Sequence, residues 1–117
     1  MATHHRYAYE REVRFKLELT QRRNTLIVTG DLTAEGVRFF LDSGIGLLDS
    51  RQVELVVDMR AASASSEHFV KAVAWIVKTA EARGKRLTVL AVDQIQNWLR
   101  DAGVQNVRSD LFPEMVS

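Results

Sequence analysis

The sequence predicts an α/β domain in which helices pack against a mixed β-sheet, in the order β-β-α-β-α-β-α. Apolar and charged residues alternate over residues 13–19, and a β-branched segment follows at residues 25–30, which together predict a hairpin. Short apolar segments at residues 53–59 and 87–92 predict buried strands, and a stretch of helical period precedes each of them. Because strands separated by helices pair in parallel through right-handed crossovers, the hairpin supplies the antiparallel part of the sheet.

The first helix is predicted directly after Gly30-Asp31-Leu32, where the second strand ends. Thr33 is the expected N-cap, and Glu35 lies in the first turn, where its charge suits the helix dipole. Gly44 and Gly46 weaken the helix interior and leave its C-terminal end undefined. The expected core-facing stripe follows three- and four-residue steps: Val37, Phe40, Leu41, Ile45 and Leu48.

The second helix is predicted from about Glu67 to about Arg83, with Gly84 after its end. It follows residues 61–66, which are all alanine or serine and which we interpret as an exposed junction. Its expected buried residues recur at helical spacing: Phe69, Val70, Val73, Ile76, Val77 and Ala80.

The third helix carries signals at both ends. Asp93 and Gln96 have the spacing of a capping box, and Gly103 followed by Val104 has the pattern of a left-handed C-cap. Its expected apolar face consists of Ile95, Trp98, Leu99 and Ala102. Residues 107–113 either add a short edge strand or lie on the surface.

The length of 117 residues and the ordinary composition, 46% hydrophobic and 26% charged, predict a single domain. We expect residues 1–11 to be a loosely ordered lead-in and residues 12–117 to form that domain. Sixteen basic and fifteen acidic residues leave a net charge of +1, too small a field to gather nucleic acid. There is no cysteine, no signal-peptide pattern and no apolar run of membrane-spanning length, so we expect a cytoplasmic protein without membrane insertion.

The sequence contains no recognisable catalytic or metal-binding motif. The histidines His4, His5 and His68 lack metal-ligand spacing, and no nucleophile elbow or glycine-rich phosphate loop is present. Asp31 and Asp58 follow buried strands, where α/β sheets present functional groups, although turn and cap chemistry is the interpretation that we favour for both. We therefore expect no enzyme activity, no cofactor and no metal.

The order of elements and three phrases of the sequence resemble the STAS family, which is named for sulfate transporters and anti-sigma-factor antagonists. The phrases are Gly30-Asp31-Leu32 after the second strand, residues 55–59 as a central strand closing on Asp58-Met59, and residues 98–104 in the last helix. The resemblance runs from about residue 16 to about residue 107. It implies a STAS-like fold and a role in bacterial signalling.

The sequence departs from the family at the start of the second helix. Members under phosphorylation control carry Asp-Ser-Ser-Gly or Asp-Ser-Thr-Gly there, whereas this chain has Ser65-Ser66-Glu67-His68-Phe69. Counting back from Gly84 without a gap aligns Glu67 and His68 with the two hydroxyl residues of the family motif. Shifting the alignment by one or two residues aligns Ser65 and Ser66 with them instead. The resemblance therefore makes Ser65 and Ser66 phosphorylation candidates. Alternatively, one of them is the N-cap and Glu67 is a first-turn acid.

The resemblance further implies a non-catalytic module that binds a kinase-like anti-sigma factor or a larger signalling assembly. The expected partner-binding residues, at the second strand's end and the second helix's start, are Asp31, Thr33, Ser63, Glu67 and His68. We expect the phosphorylation switch to be altered, with Glu67 partly taking the place of a phosphoserine. The alternatives are an accessory subunit of a transport system and a nucleotide or lipid sensor, and a homodimer through an edge strand or Trp75 is left open.

Overall fold

The fold was analysed in a computed structural model that describes residues 6–8, 17–64 and 67–110. The strands are β1 (Arg6–Ala8), β2 (Leu17–Arg22), β3 (Thr25–Leu32), β4 (Glu54–Ala64), β5 (Arg86–Leu90) and β6 (Val107–Arg108). The helices are α1 (Ala34–Leu48), α2 (His68–Ala82) and α3 (Asp93–Asp101). The six strands form one sheet in sequential order, antiparallel from β1 to β3 and parallel from β3 to β6. The predicted mixed sheet with packed helices is confirmed.

All three helices lie on one face of the sheet. Each parallel crossover moves one strand further in the same direction, and right-handed crossovers of that kind place their helices on a common side. Consistent with this, α1 packs against α2 and α2 against α3. The core fills the space between the sheet and this helical layer, and its largest fully buried side chains include Phe40, Phe69, Leu19, Leu55 and Met59.

The segment before β2 differs from the prediction. We expected a loosely ordered lead-in over residues 1–11, and the structure places strand β1 within it, with Arg6 paired to Thr20 and Ala8 to Glu18. A three-residue strand is too short to show a period in the sequence, so the alternation signal could not identify it. The start of the hairpin's predicted first strand, residues 13–16, lies outside the described residues.

Helix α1 buries only part of the predicted stripe, since Phe40 and Leu48 are buried as expected and the other three residues are not. Its buried residues include Gly36, Phe40, Ser43, Gly44 and Leu47. The predicted stripe is only partly inside, because Val37 and Leu41 are half-buried and Ile45 is 38% exposed. The buried face includes three small residues, Gly36, Ser43 and Gly44, and the last of these lies against Ile76 of α2.

Helix α2 matches its prediction closely. All six residues expected to be buried are buried, and Gly84 follows the end of the helix with a φ of 75°. At the crossing with α1, a Cβ added to Gly44 would overlap Cδ1 of Ile76 and lie 3.1 Å from its Cγ1. The glycine that weakens α1 in isolation therefore permits the close approach of the two helices.

Of the two predictions for the ends of α3, one is confirmed and the other is wrong. The C-cap is confirmed, since Gly103 has a φ of 82° and the amide of the buried Val104 donates to the Leu99 carbonyl at 3.0 Å. The capping box is wrong, because Asp93 is the first helical residue and the N-cap position belongs to Val92. The Gln96 side chain instead donates to the Ala91 carbonyl at 3.2 Å.

Strand β4 runs further than predicted. We expected residues 61–66 to form a junction, whereas β4 continues to Ala64 and pairs with β3 as far as Leu32. Alanine and serine have low strand propensity, but pairing with an existing neighbour strand outweighs that preference. The prediction that the whole small-residue segment is a loop is therefore wrong for its first four residues.

Candidate functional site

A β-bulge precedes the candidate site and sets its register. Between the pairs Ile27–Asp58 and Thr29–Ala61, β4 contains one residue more than β3. The Asp58 carboxylate holds the bulge by hydrogen bonds to Arg60. Its Oδ1 accepts the backbone N–H of Arg60 at 3.1 Å and the Arg60 Nε–H at 3.0 Å. Asp58 therefore lies within β4, whereas we expected it to follow a strand, and its contacts to Arg60 are local structural ones.

The electrostatics of this pair follow from the same contacts. Partial burial of Asp58 by itself raises the pKa of its carboxyl group. The hydrogen bonds and positive charge of Arg60 act in the opposite direction and prevail, so the pKa of Asp58 is lowered from its usual value. The second Asp58 oxygen lies 2.9 Å from the Arg60 guanidinium, which completes a charged brace across the bulge.

Beyond the bulge, β3 and β4 end side by side. Asp31 pairs in register with Ser63, and the Ser63 hydroxyl donates a hydrogen bond to Oδ1 of Asp31. Both residues are exposed. Gly30, which precedes Asp31, has a φ of 100°, a conformation that glycine adopts without steric cost. The strand ends thus present a hydroxyl and a carboxylate together at the surface.

Thr33 is the predicted N-cap of α1, and the structure confirms it. Its Oγ1 accepts the Gly36 backbone N–H at 3.3 Å, and its extended backbone conformation is the usual one for an N-cap. Thr33 is half-buried. Its hydroxyl is therefore engaged in holding the start of the helix, next to the exposed Asp31.

Glu67 occupies the N-cap position of α2, and its side chain makes no capping hydrogen bond. The helix has no acidic residue in its first turn. The Glu67 backbone has φ −84° and ψ 3°, which is not the extended conformation usual for an N-cap, and the two residues before it lie outside the described part of the chain, so the alternative with Ser65 or Ser66 as the N-cap stays a prediction. Ser65 and Ser66 lie outside the described residues, so their standing as phosphorylation candidates stays a prediction.

Glu67 and His68 are exposed and lie at the rim of a groove between α2 and α3. The groove has a volume of about 490 Å³ and is also lined by Val70, Lys71, Trp98, Asp101 and Ala102. Trp98 is half-buried, and its ring packs against Phe69 with ring centroids 6.0 Å apart. Sequence reasoning treated Trp98 as part of a helical core face and missed this groove.

We call the five predicted residues Asp31, Thr33, Ser63, Glu67 and His68 the carboxyl edge. The structure brings Asp31 and Ser63 into contact and puts Thr33 directly after β3. Only three residue steps separate Ala64 at the end of β4 from Glu67, so no more than about 11 Å of chain joins the two parts. The carboxyl edge thus consists of Asp31, Ser63 and Thr33 at the ends of β3 and β4 and of Glu67 and His68 at the α2–α3 groove.

Within residues 17–64 and 67–110, no cluster of three or more His, Asp or Glu side chains could hold a metal ion. In the same part of the chain, no helix has the length and apolar character needed to cross a membrane. The groups gathered at the carboxyl edge are hydrogen-bond donors and acceptors, which suits recognition of a polar surface.

The sheet order, the single helical layer and the parallel β3-α1-β4-α2-β5 core define a STAS-like fold. A solved structure of the Bacillus cell fate determinant SpoIIAA, in its phosphorylated form, superposes on this chain with a TM-score of 0.61. SpoIIAA is an anti-sigma-factor antagonist, and the match has 17% sequence identity over 87% of this chain and 95% of that one. No family model and no curated protein sequence matches the chain.

Proposed function

We propose that this chain is a non-catalytic regulatory module that binds another protein through the carboxyl edge and the α2–α3 groove. The observation that carries the proposal is that the exposed Glu67 and His68 line a groove that contains Trp98, while the exposed Asp31 and Ser63 lie in contact at the ends of β3 and β4. Protein interfaces commonly combine an aromatic anchor with a polar rim. The STAS-like fold supports the same conclusion.

The charges at this surface are mixed. Asp31, Glu67 and Asp101 are acidic, whereas Lys71 is basic, and all four are exposed. A partner that matches them presents hydrogen-bond donors toward Asp31 and Glu67 and an apolar side chain toward the groove. We infer that the partner is a kinase-like anti-sigma factor or a larger signalling assembly, by analogy with the class of protein to which SpoIIAA belongs.

We further infer that the phosphorylation switch of this module is altered. Glu67 holds a carboxylate at the N-cap of α2, where free N–H groups and the helix dipole favour negative charge. A phosphate on a serine at this position would exploit the same environment. Glu67 therefore supplies permanently part of the negative charge that phosphorylation would supply reversibly at the start of α2.

A kinase assay tests the altered switch. The chain is incubated with kinases that phosphorylate STAS domains, a phosphorylatable STAS domain serves as the positive control, and intact mass is measured. We expect no added phosphate on this chain. Stoichiometric phosphorylation at Ser65 or Ser66 would show that the switch is retained.

A capture experiment with matched variants tests the docking surface. The tagged full chain is compared with Glu67→Lys at the carboxyl edge and with Glu81→Lys, which reverses the same charge at an exposed position near the other end of α2. We expect Glu67→Lys to reduce recovery of the partner at least tenfold and Glu81→Lys to leave it unchanged. Equal recovery by both variants would place the docking surface elsewhere.

A second candidate is an accessory subunit of a transport system. The carboxylate of Glu67 at the N-cap favours it, because that role needs a binding face and no phosphorylation site. The same capture experiment separates the two functions by the identity of the recovered protein, which is either a histidine-kinase-like ATPase or a transporter ATPase.

A further inference from the structure

The sheet has a second buried surface, on the side away from the helices. Val56 is 9% exposed and Leu90 1% exposed, although neither belongs to the core between the sheet and the helical layer. Their neighbours Val57 and Val89 do belong to that core, and successive residues of a strand point to opposite faces. Val56 and Leu90 therefore lie on the face without helices.

Strand pairing extends this surface across three strands. Val56 pairs in register with Thr88, which is 5% exposed, and Leu90 pairs with Asp58. The half-buried Ile27 of β3 pairs with Asp58 from the other side. Residues paired in register share a face of the sheet, so these five residues form one surface, which we call the outer patch.

The outer patch is buried although none of the described helices or strands covers it. Within residues 6–8, 17–64 and 67–110, the strands all lie in the sheet and the helices all lie on its opposite face. A parallel sheet with apolar residues on both faces is normally covered on both. The low exposure of Thr88 and Leu90 therefore indicates a further layer of chain over this face.

The chain turns toward the outer patch as it leaves β6. Arg108 of β6 pairs in register with Leu90. Two strands away, on β4, the hydrogen bond to Asp58 holds the Arg60 side chain on the face without helices. That bond is the main cause of the raised pKa of Arg60, and the negative charge of Asp110 raises this pKa further. Asp110 therefore lies near Arg60, which directs the chain after β6 over this face.

We propose that residues 111–117 lie across the outer patch and form its cover. Fully extended, this segment spans about 23 Å, whereas β3 is three strand spacings, about 14 Å, from β6. The segment is therefore long enough to cross β5, β4 and β3. Its sequence offers apolar side chains to this surface: Leu111, Phe112, Met115 and Val116.

The other longer parts of the chain outside the described residues begin at the opposite edge of the sheet. Residues 1–5 precede β1, and residues 9–16 connect β1 to β2, whereas β5 lies three strand spacings, about 14 Å, beyond β2. Residues 9–16 must leave the sheet and return to it, so only half of their length, about 13 Å, is available for reach. Segment 111–117, in contrast, begins three residues after Arg108, the partner of Leu90.

Nuclear Overhauser contacts in the isotope-labelled full chain test the proposal directly. We expect contacts between the ring protons of Phe112 and the methyl groups of Val56 or Leu90. A mixture of labelled and unlabelled chains, with isotope filtering, shows whether such contacts arise within one chain. This measurement does not depend on the proposed function, because it uses the chain without a partner protein.

Because the chain has no cysteine, thiol protection gives an independent test. Thr88→Cys places a thiol in the outer patch, and Ser43→Cys places one on the buried face of α1, where the native residue is 8% exposed. Each is studied alone and combined with Leu111→Asp/Phe112→Asp, and the rate of reaction with a disulfide reagent is measured. We expect the two substitutions in the segment to accelerate the reaction at position 88 at least tenfold and to leave the rate at position 43 unchanged.

The matched control for the added charge is Gln94→Asp/Asn97→Asp, at exposed positions of α3 on the helical side of the sheet. It is expected to leave both reaction rates unchanged. Circular dichroism and the thermal midpoint verify that each variant folds.

Four results would overturn the proposal. The first is a Phe112 ring without contacts to Val56 or Leu90, including the case in which residues 9–16 contact these methyl groups instead. The second is a set of contacts that arises only between chains, which would assign the cover to a second copy. The third is an unchanged rate at position 88 in Leu111→Asp/Phe112→Asp, and the fourth is an equal acceleration at positions 43 and 88.

Discussion

Replacing Gly44 by alanine tests the close approach of α1 and α2. In a helix that packs against nothing, this change stabilises by about 1 kcal/mol, because alanine has the higher helix propensity. Here the new methyl group would overlap Cδ1 of the buried Ile76 and crowd its Cγ1 at 3.1 Å. Overpacking of a core costs about 1–3 kcal/mol, so we expect a net loss of about 1 kcal/mol in the free energy of unfolding.

Gly46 provides the matched control on the same helix. It is exposed, and a Cβ there would lie 3.7 Å from the Gln21 Oε1, which is ordinary contact. Gly46→Ala is therefore expected to stabilise by about 0.5–1 kcal/mol. The difference between the two alanine variants measures the cost of the clash, at about 1–3 kcal/mol.

Urea unfolding followed by circular dichroism measures this difference, with unchanged m-values as the check that only stability changes. Shortening the Ile76 side chain should relieve the clash. The double variant Gly44→Ala/Ile76→Val is therefore expected to lose less free energy of unfolding than the sum of the losses in the two single variants. Equal stability of Gly44→Ala and Gly46→Ala would refute the inferred packing of α1 on α2.

Two further predictions concern the residues around the carboxyl edge. Thr33→Ala should lower the free energy of unfolding by about 1 kcal/mol and Thr33→Ser should not, whereas Glu67→Ala should change it by less than about 0.5 kcal/mol, because only Thr33 makes a capping hydrogen bond. Thermal unfolding checks this, and equal losses at the two caps would contradict it. Asp58→Asn should cost about 0.5–1 kcal/mol at pH 7, because it removes the charged brace to the partly exposed Arg60. Since the pKa of Asp58 is lowered by folding, its stabilisation is present above the ordinary value of 3.8 and is lost as the pH falls through the folded-state pKa. The wild type and Asp58→Asn should therefore differ in stability at pH 7 and converge only as the pH falls below 3.8 and through the folded-state pKa. A constant difference down to pH 2 would contradict the assignment.

The sequence was most informative where one physical signal determined the structure. Six of the seven buried positions of α2 follow from helical spacing alone, because a surface helix buries one continuous stripe. The C-cap at Gly103 and the N-cap at Thr33 follow from local hydrogen bonding that depends on few neighbours. The mixed sheet follows from the alternation of strands and helices.

Elements that depend on distant neighbours were not predictable. The extension of β4 through its alanines and serines requires β3 beside it, and the buried stripe of α1 depends on how closely Gly44 lets α2 approach. Asp93 and Gln96 have the spacing of a capping box, but α3 begins at Asp93 itself and the box does not form. For β4 and α1, tertiary packing outweighed a local preference.

The candidate site shows the same division. Sequence reasoning selected Asp31 and Ser63 separately, and the sheet register brings their side chains into contact. It could not find the bulge that Asp58 braces, because an inserted residue shows only in the pairing of two strands. It also missed the groove with Trp98, which requires the relative placement of α2 and α3.

Amide hydrogen exchange of the full chain, alone and with its captured protein partner, tests the docking surface most directly. We expect the partner to slow exchange at residues 31–34, 62–64 and 67–71 and in α3 near Trp98. The amides of residues 20–22 of β2, which pair with the start of β3 away from Asp31, are expected to remain unchanged. Slowed exchange confined to β2, with residues 67–71 unaffected, would contradict the assignment of the carboxyl edge as the binding surface.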